Sequence, residues 1–210
     1  MIKVLIADDH AILRRGLKEI LMHELENAVC GEAKDAYEVL SQVQSGDWDL
    51  VILDVSMPGR SGLDVLADLK AAQPKLPVLV LSMHPDDQYG KRALRAGASG
   101  YVNKDSEPEE IITAVRKVLS GGRYVSPKLA EKLAFDLSEH PERPAHEILS
   151  NREFEVLRMI GTGKTVTQIA GELHLSMPTV STYRARILEK LNMKTSAELM
   201  RYALRHRLVD

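Results

Sequence analysis

Cysteine is almost missing from the sequence, and its scarcity excludes two kinds of site. Only one cysteine, Cys30, occurs among the 210 residues. A single thiol cannot form a disulfide within the chain or supply a cysteine cluster for zinc. We therefore expect Cys30, which lies in a short apolar run, to be a small core residue.

Long apolar runs are missing too. No segment reaches the roughly 18 uninterrupted apolar residues of a membrane span. The sequence starts directly with the strand-like run 2–7 and not with a charged leader, an apolar stretch and a small-residue cleavage site. With 44% apolar and 28% charged residues, the composition is typical of a globular chain. We expect the protein to be cytoplasmic.

Glycine-rich phosphate loops are the third absence. No Gly-x-Gly-x-x-Gly follows the first predicted strand, which argues against a dinucleotide-binding enzyme. The triplet 163–165, Gly-Lys-Thr, matches the end of a nucleotide-binding P-loop, but Arg158 stands where that motif needs a glycine, and the triplet follows a helical segment instead of a strand. The glycines more simply end that helix.

Charge is distributed unevenly along the chain, although the net charge is only −2. Residues 1–122 hold 14 basic and 19 acidic residues, whereas residues 150–210 hold 10 basic and 6 acidic ones. Only the C-terminal part therefore suits a polyanionic partner.

The first 120 residues alternate short apolar runs with amphipathic segments of helical period. The predicted strands are 2–7, 28–33, 49–54, 77–82 and 99–103. The predicted helices are about 11–24, 35–45, 62–72, 86–96 and 107–120. Five such units predict an α/β domain over residues 1–122, with a doubly wound, five-stranded parallel sheet. The third and fourth strands are continuously apolar and should be central.

After residue 122 no further strand is predicted. Ser126 and Pro127 begin a short helix to about residue 138, and the proline-rich segment 140–144 follows. We assign residues 123–146 to a linker with this short helix. Residues 147–210 predict a small all-α domain of four helices, at about 151–161, 166–173, 177–191 and 196–207.

Charged and hydroxyl side chains stand at the carboxyl ends of the predicted strands, where doubly wound sheets bind ligands. Asp8 and Asp9 follow the first strand, Asp54 ends the third, Ser82 ends the fourth and Lys104 follows the fifth. Carboxylates ~4 Å apart repel by roughly 4 kcal/mol at an effective dielectric constant of 20. Mg²⁺ would offset this repulsion, assisted by Lys104.

An ionised Asp54 in such a site could attack a phosphoryl group and become an aspartyl phosphate. The alternative is that these acids are ordinary solvated residues at strand ends. A small phosphatase with an aspartyl intermediate is a further alternative, but enzymes resembling the haloacid dehalogenases need a second acid where Ser56 stands. We therefore do not expect an enzyme.

The acidic doublet 8–9, Asp54 within Leu-Asp-Val-Ser-Met-Pro-Gly (53–59), Ser82, Tyr101 and Lys104 together resemble the receiver domain of two-component response regulators. The resemblance implies a flavodoxin-like receiver in which Asp54 accepts the phosphoryl group. The resemblance also implies a Mg²⁺ site formed by Asp9, Asp54 and the Ser56 carbonyl oxygen, with Asp8 in support. It implies that Lys104 and Ser82 contact the phosphoryl group and that Tyr101 turns inward.

In the C-terminal part, residues 169–180 have the form of a helix, a short turn and a second helix, the arrangement of helix-turn-helix modules. Val180, Tyr183, Ile187 and Leu191 fall on one face of the second helix. We predict DNA contacts from the opposite face, with phosphate contacts among them. The predicted DNA-binding residues are Lys164, Thr165, Thr179, Ser181, Thr182, Arg184, Ala185, Arg186 and Lys190.

The stretches 149–157, 163–165, 169–170, 179–184 and 187–191 resemble the LuxR-type DNA-binding domain, so that the whole chain is similar to the NarL/FixJ subfamily. The sequence departs from that pattern at 177–178, where a lysine often precedes Thr-Val, at Ser181, commonly basic, and at Tyr183, commonly histidine. By this resemblance the last helix forms a homodimer contact through Leu199, Met200 and Ala203.

The sequence thus predicts a response regulator whose phosphorylation by a sensor histidine kinase controls dimerisation and binding to promoter DNA. A phosphorylation-independent DNA binder, with the receiver serving as a docking module, is the alternative. A helical bundle with a solvated basic face is the simplest alternative for the second domain.

Overall fold

The structure is a computed structural model that describes residues 1–57, 60–83, 86–139 and 144–209. Residues 58–59 of the receiver-like motif and 140–143 of the predicted linker lie outside the described residues. The chain divides into two compact units, Met1–Glu139 and His140–Asp210. Within the described ranges, no helix has the length and apolarity that crossing a bilayer requires.

The first unit contains the predicted five-stranded parallel sheet, in the order β2-β1-β3-β4-β5. The strands are β1 (Ile2–Ala7), β2 (Ala28–Ala33), β3 (Leu50–Asp54), β4 (Val78–Ser82) and β5 (Gly100–Asn103). Every residue of β3 and β4 is buried, because both faces of these two strands are covered. The predicted doubly wound α/β fold is confirmed.

Helices cover both faces of the sheet. They are α1 (Ala11–Glu24), α2 (Ala36–Ser45), α3 (Gly62–Ala72), α4 (Asp86–Arg95) and α5 (Pro108–Leu119). Helices α1 and α5 contact each other, whereas α2, α3 and α4 contact one another in succession. Cys30 on β2 is half-buried and packs against the core.

One feature of the sheet was not predicted from the sequence. Tyr124 forms a parallel bridge to Gly100: its carbonyl oxygen accepts from the Tyr101 N–H at 3.2 Å and its N–H donates to the Ser99 carbonyl at 2.9 Å. The bridge is a single residue pair and not a strand, so among the described residues no further strand follows residue 122, as predicted. A side chain at residue 100 would bring its Cβ to 2.8 Å from the Tyr124 carbonyl oxygen, so the close approach depends on glycine.

Helix α6 (Pro127–Glu139) follows directly and contacts α4. Ser126 begins it, as predicted, by accepting the Leu129 N–H at 3.2 Å. Leu129 is fully buried, and a Cβ on Gly90 would lie 2.7 Å from its Cδ2 atom. The helix that the sequence places in a linker thus belongs to the first compact unit.

The second unit is all-helical among the residues described. A short 3-10 helix (Ala145–Ile148) precedes α7 (Asn151–Gly161), α8 (Val166–Glu172), α9 (Met177–Lys190) and α10 (Ser196–Arg205). Capping boxes at Ser150, Thr165 and Thr195 start α7, α8 and α10. Helix α7 contacts both α9 and α10, and α8 contacts α9. The predicted small four-helix domain is confirmed.

Candidate functional site

The sheet register brings two of the predicted acidic residues to one level. Ala7 of β1 pairs with Leu53 of β3, so Asp8 and Asp54 are the next residues on neighbouring strands. Strand order reverses at this point, with β2 on one side of β1 and β3 on the other, and such a switch point is where doubly wound sheets bind ligands. Both aspartates are buried.

Lys104 bridges these two aspartates from the end of β5. Its backbone N–H donates to the Ser82 carbonyl at 2.9 Å, which attaches the residue to the end of β4. Its Nζ atom lies 2.6 Å from Asp8 Oδ2 and 2.8 Å from Asp54 Oδ2, and its side chain is 3% exposed. One buried cation thus contacts two buried carboxylates and can neutralise the charge of only one of them.

Burial and the neighbouring charges shift the pKa of Asp54 in opposite directions, and they do the same to the pKa of Lys104. Burial raises the pKa of the Asp54 carboxyl, and the Lys104 charge only partly opposes that rise. Burial lowers the pKa of Lys104, but the charges and hydrogen bonds of Asp54 and Asp8 outweigh it, so that the pKa is raised. Lys104 therefore remains protonated at neutral pH.

Asp9 and His10 complete the acidic end of β1. The Asp9 carboxylate lies 2.8 Å from His10 Nδ1, and the His10 backbone N–H donates to Asp8 Oδ1 at 2.7 Å. One ligand atom from each of Asp8, Asp9, His10 and Asp54 can be chosen so that all lie within 4.8 Å of one another. This oxygen-rich cluster can hold a divalent cation.

Two residues of this site were missed in the sequence. His10 follows the Asp8–Asp9 doublet, and that adjacency was the available signal. Arg14, one turn into α1, donates from Nη1 to the Asp8 carbonyl oxygen at 2.6 Å, a contact that no local pattern indicates.

Of the three remaining receiver residues, Ser56 contacts Asp54, Ser82 ends the neighbouring strand β4, and Tyr101 lies one strand further, on β5. The Ser56 N–H donates to Asp54 Oδ1 at 3.0 Å, which orients the carboxylate. Ser82 ends β4 and Tyr101 lies in β5, and both are fully buried. The Tyr101 side chain is therefore already inside the unit in this structure.

In the second unit, α8 and α9 are joined by a short turn, and Ser176 starts α9 by accepting the Thr179 N–H. Val180 and Ile187 of α9 are buried. The predicted residues Ser181, Thr182, Ala185 and Arg186 are exposed, whereas Thr179 and Arg184 are half-buried.

Three of the predicted basic DNA contacts already have partners within the unit. Lys164 forms an ion pair with Glu172. Arg184 Nε donates to Ser196 Oγ at 2.6 Å. Lys190 Nζ lies 2.6 Å from Glu153 Oε2, and Glu153 is the buried acid of the α7 capping box. Phosphate contacts from these side chains would have to replace or share these bonds.

The structure corrects two of the predicted dimer contacts. Leu199 and Ala203 have no exposed surface, because α10 packs against α7 with Ala203 facing Gly161. Side chains without exposed surface cannot meet a partner subunit directly. Met200 is half-buried, and Leu204, which is 50% exposed, lies one turn further along α10.

Two family models together match most of the chain. The response regulator receiver domain matches residues 4–116, and the luxR family of bacterial regulatory proteins matches residues 147–203. The matched segments contain the acidic site and the α8–α9 pair respectively.

Curated relatives match the chain along its whole length. Response regulator GacA of Pseudomonas aeruginosa is 37% identical over 100% of this chain and 99% of its own length. Oxygen regulatory protein NreC of Staphylococcus carnosus is 36% identical over 99% of both chains. Response regulator UvrY of Escherichia coli is 34% identical over 100% of this chain and 97% of its own.

A solved structure also spans both units. RcsB from Salmonella enterica serovar Typhimurium, bound to promoter rprA in the presence of the phosphomimetic BeF3−, is 28% identical, with a TM-score of 0.66 over 96% of this chain and 97% of that chain. The chain therefore belongs to the two-component response regulators of the NarL/FixJ subfamily, which join a receiver domain to a luxR-family domain and are transcription regulators, not enzymes.

Proposed function

We propose that Asp54 accepts a phosphoryl group from a sensor histidine kinase, and that this modification controls how the chain dimerises and binds promoter DNA. The observation that carries the proposal is the arrangement of Asp8, Asp54 and Lys104, in which a buried carboxylate at the strand-order switch lies beside a second carboxylate and a buried cation. In the transfer, Asp54 attacks phosphorus, the bond between phosphorus and the kinase histidine breaks, and the imidazole leaves.

Mg²⁺ suits this cluster because three of its four possible donor atoms are carboxylate oxygens, close enough to share one ion. Asp9 and Asp54 would hold it, with Asp8 supporting and the Ser56 carbonyl oxygen as a further ligand. When bound, the ion neutralises charge on the carboxylates and the incoming phosphoryl oxygens.

Lys104 would then change partners. In this structure its Nζ atom contacts both Asp8 and Asp54. Once Asp54 carries a phosphoryl group, the same ammonium would bind a phosphoryl oxygen, and the Ser82 hydroxyl would approach another. Because Tyr101 is attached through its backbone to Tyr124, a movement around Tyr101 would reach the segment that starts α6.

Promoter DNA is the partner proposed for the second unit, supported by its excess of basic residues, its α8–α9 pair and a relative bound to a promoter. We assign residues 1–122 to the receiver, 123–146 to a linker whose helix α6 packs within the first compact unit, and 147–210 to the DNA-binding domain. A homodimer would form on activation, with Met200 and the exposed Leu204 offering apolar surface on α10. With promoter DNA as the proposed partner, we propose that the protein acts in the cytoplasm.

The test is phosphorylation of the full chain with acetyl phosphate and Mg²⁺, followed by intact-mass measurement and peptide mapping. We expect the mass of one phosphoryl group, located on Asp54 and absent from an Asp54→Asn protein. Asp49→Asn is the matched control, since Asp49 is exposed and precedes the opposite end of β3. Equal phosphorylation of Asp54→Asn and wild type would exclude the proposed acceptor.

A further inference from the structure

The start of α9 presents an exposed surface without charge. Residues 177–183 contain no Asp, Glu, Lys or Arg. Met177 is 53% exposed, and Ser181, Thr182 and Ala185 are also exposed. Val180 and Ile187, on the other side of the helix, are buried in the core of the unit. The face that would enter a DNA groove therefore begins with small and apolar side chains.

The hydroxyl groups of this region are largely engaged within the helix. Thr182 Oγ1 donates to the Pro178 carbonyl oxygen at 2.9 Å, and the Ser176 and Thr179 hydroxyls are 2.7 Å apart in the cap. Because the hydroxyl of the exposed Thr182 side chain is held by the backbone of the preceding turn, its methyl group is the part left to contact a partner. Thr182, Ala185 and Met177 thus offer carbon atoms on the exposed surface.

Few arginine or lysine side chains of α9 are available at this surface. Arg184 and Lys190 are held by Ser196 and Glu153, which leaves Arg186 as the exposed arginine of α9. Arginine and lysine read guanine in the major groove, whereas the methyl groups of alanine and threonine contact the methyl group of thymine. The exposed chemistry of α9 therefore matches thymine better than guanine.

We propose that α9 recognises its DNA half-site chiefly through thymine methyl groups, which contact the Thr182 methyl group, Ala185 and Met177. This inference rests on the proposed DNA-binding function and names its base preference. Any direct contact to guanine falls to Arg186, one turn beyond Thr182.

The experiment starts with the full-length protein, treated with acetyl phosphate and Mg²⁺, selecting duplexes from a randomised library. The preferred duplex is then synthesised again with one thymine at a time replaced by uracil, which lacks only the methyl group. Each contacted position should lose affinity by about fourfold, the value of one buried methyl group. Uracil placed outside the selected site should change nothing.

A variant assigns the methyl contact to one residue. Thr182→Ser keeps the hydroxyl and removes the methyl group, so it should bind thymine and uracil equally at one position of each half-site. Thr162→Ser makes the same change at the end of α7, where the hydroxyl donates to the Met159 carbonyl oxygen at 2.9 Å. This control should keep the full preference for thymine.

The outcomes separate the inference from the function on which it rests. Sequence-specific binding that is insensitive to every uracil replacement, or that depends mainly on guanine, would overturn the thymine readout and leave the DNA-binding function standing. Failure to select any duplex would overturn the DNA-binding function itself, and the readout with it.

Discussion

Replacing Lys104 by methionine should destabilise the first unit far more than the loss of an exposed lysine does. Each of its two ion pairs, at 2.6 Å and 2.8 Å, corresponds to about 6 kcal/mol at an effective dielectric constant of 20. Desolvation of Lys104 offsets much of this gain. The net cost of leaving buried carboxylates without their cation is about 3–5 kcal/mol.

Denaturant unfolding of the full chain measures this cost. Trp48 is the single tryptophan and lies in the first unit, where its Nε1 atom donates to the Gln42 carbonyl oxygen, so its fluorescence reports that unit alone. Lys18→Met is the matched control, because Lys18 also pairs with an acid, Glu32 at 2.9 Å, but is 37% exposed. Solvent screening should make that change nearly neutral.

The effect of Lys104→Met should also depend on pH and on magnesium. Burial already raises the pKa of Asp54, and removal of the Lys104 charge raises it further. The variant therefore takes up a proton on Asp54 more readily, and its stability deficit should shrink as the pH falls through the raised pKa of Asp54. Added Mg²⁺ should reduce the deficit too. A deficit no larger than that of Lys18→Met under all conditions would refute this account of the site.

Two further predictions concern packing and charge elsewhere in the chain. Gly90→Ala should displace Leu129, lower the free energy of unfolding by about 1–3 kcal/mol and speed hydrogen exchange in α6. The same change at Gly16, which has open space around it, is the control. Equal exchange in both variants would contradict the packing of Leu129 against Gly90. Burial raises the pKa of Glu153, but hydrogen bonds from Lys190 and the capping-box serine outweigh it and hold the pKa below 4.5, so the Glu153 charge stabilises the fold above that pH. Glu153→Gln should cost about 1–2 kcal/mol at neutral pH, measured by hydrogen exchange of α9, and the deficit should vanish as the pH falls through the lowered pKa; a deficit that persists in acid would exclude the charge as its cause.

The strands were predictable to within one residue, because each is a short apolar run bounded by polar residues, and in β3 and β4 both faces are buried. Helix starts were equally accessible where a capping residue precedes them, as Ser150 precedes α7. The pairing of Tyr124 with Gly100 could not be predicted from the sequence, because one bridging residue has no periodicity and its partner is distant in sequence.

The acidic cluster was predictable because parallel strands place their carboxyl ends at one edge of the sheet. What each charge contacts was not predictable. Lys190 and Glu153 are 37 residues apart, and the sequence alone favours Lys190 as a free phosphate contact. Leu199 and Ala203 match an apolar stripe on α10, but periodicity does not distinguish a stripe that packs on α7 from one that meets a second subunit.

Whether the receiver controls DNA binding is tested by the affinity of the full chain for its selected duplex, with and without a phosphoryl group on Asp54. We expect phosphorylation to tighten binding by about tenfold or more, within the usual range of coupling between two sites, and we expect Asp54→Asn not to respond to acetyl phosphate. Equal affinities for the phosphorylated and unphosphorylated protein would contradict the claim that the receiver controls DNA binding.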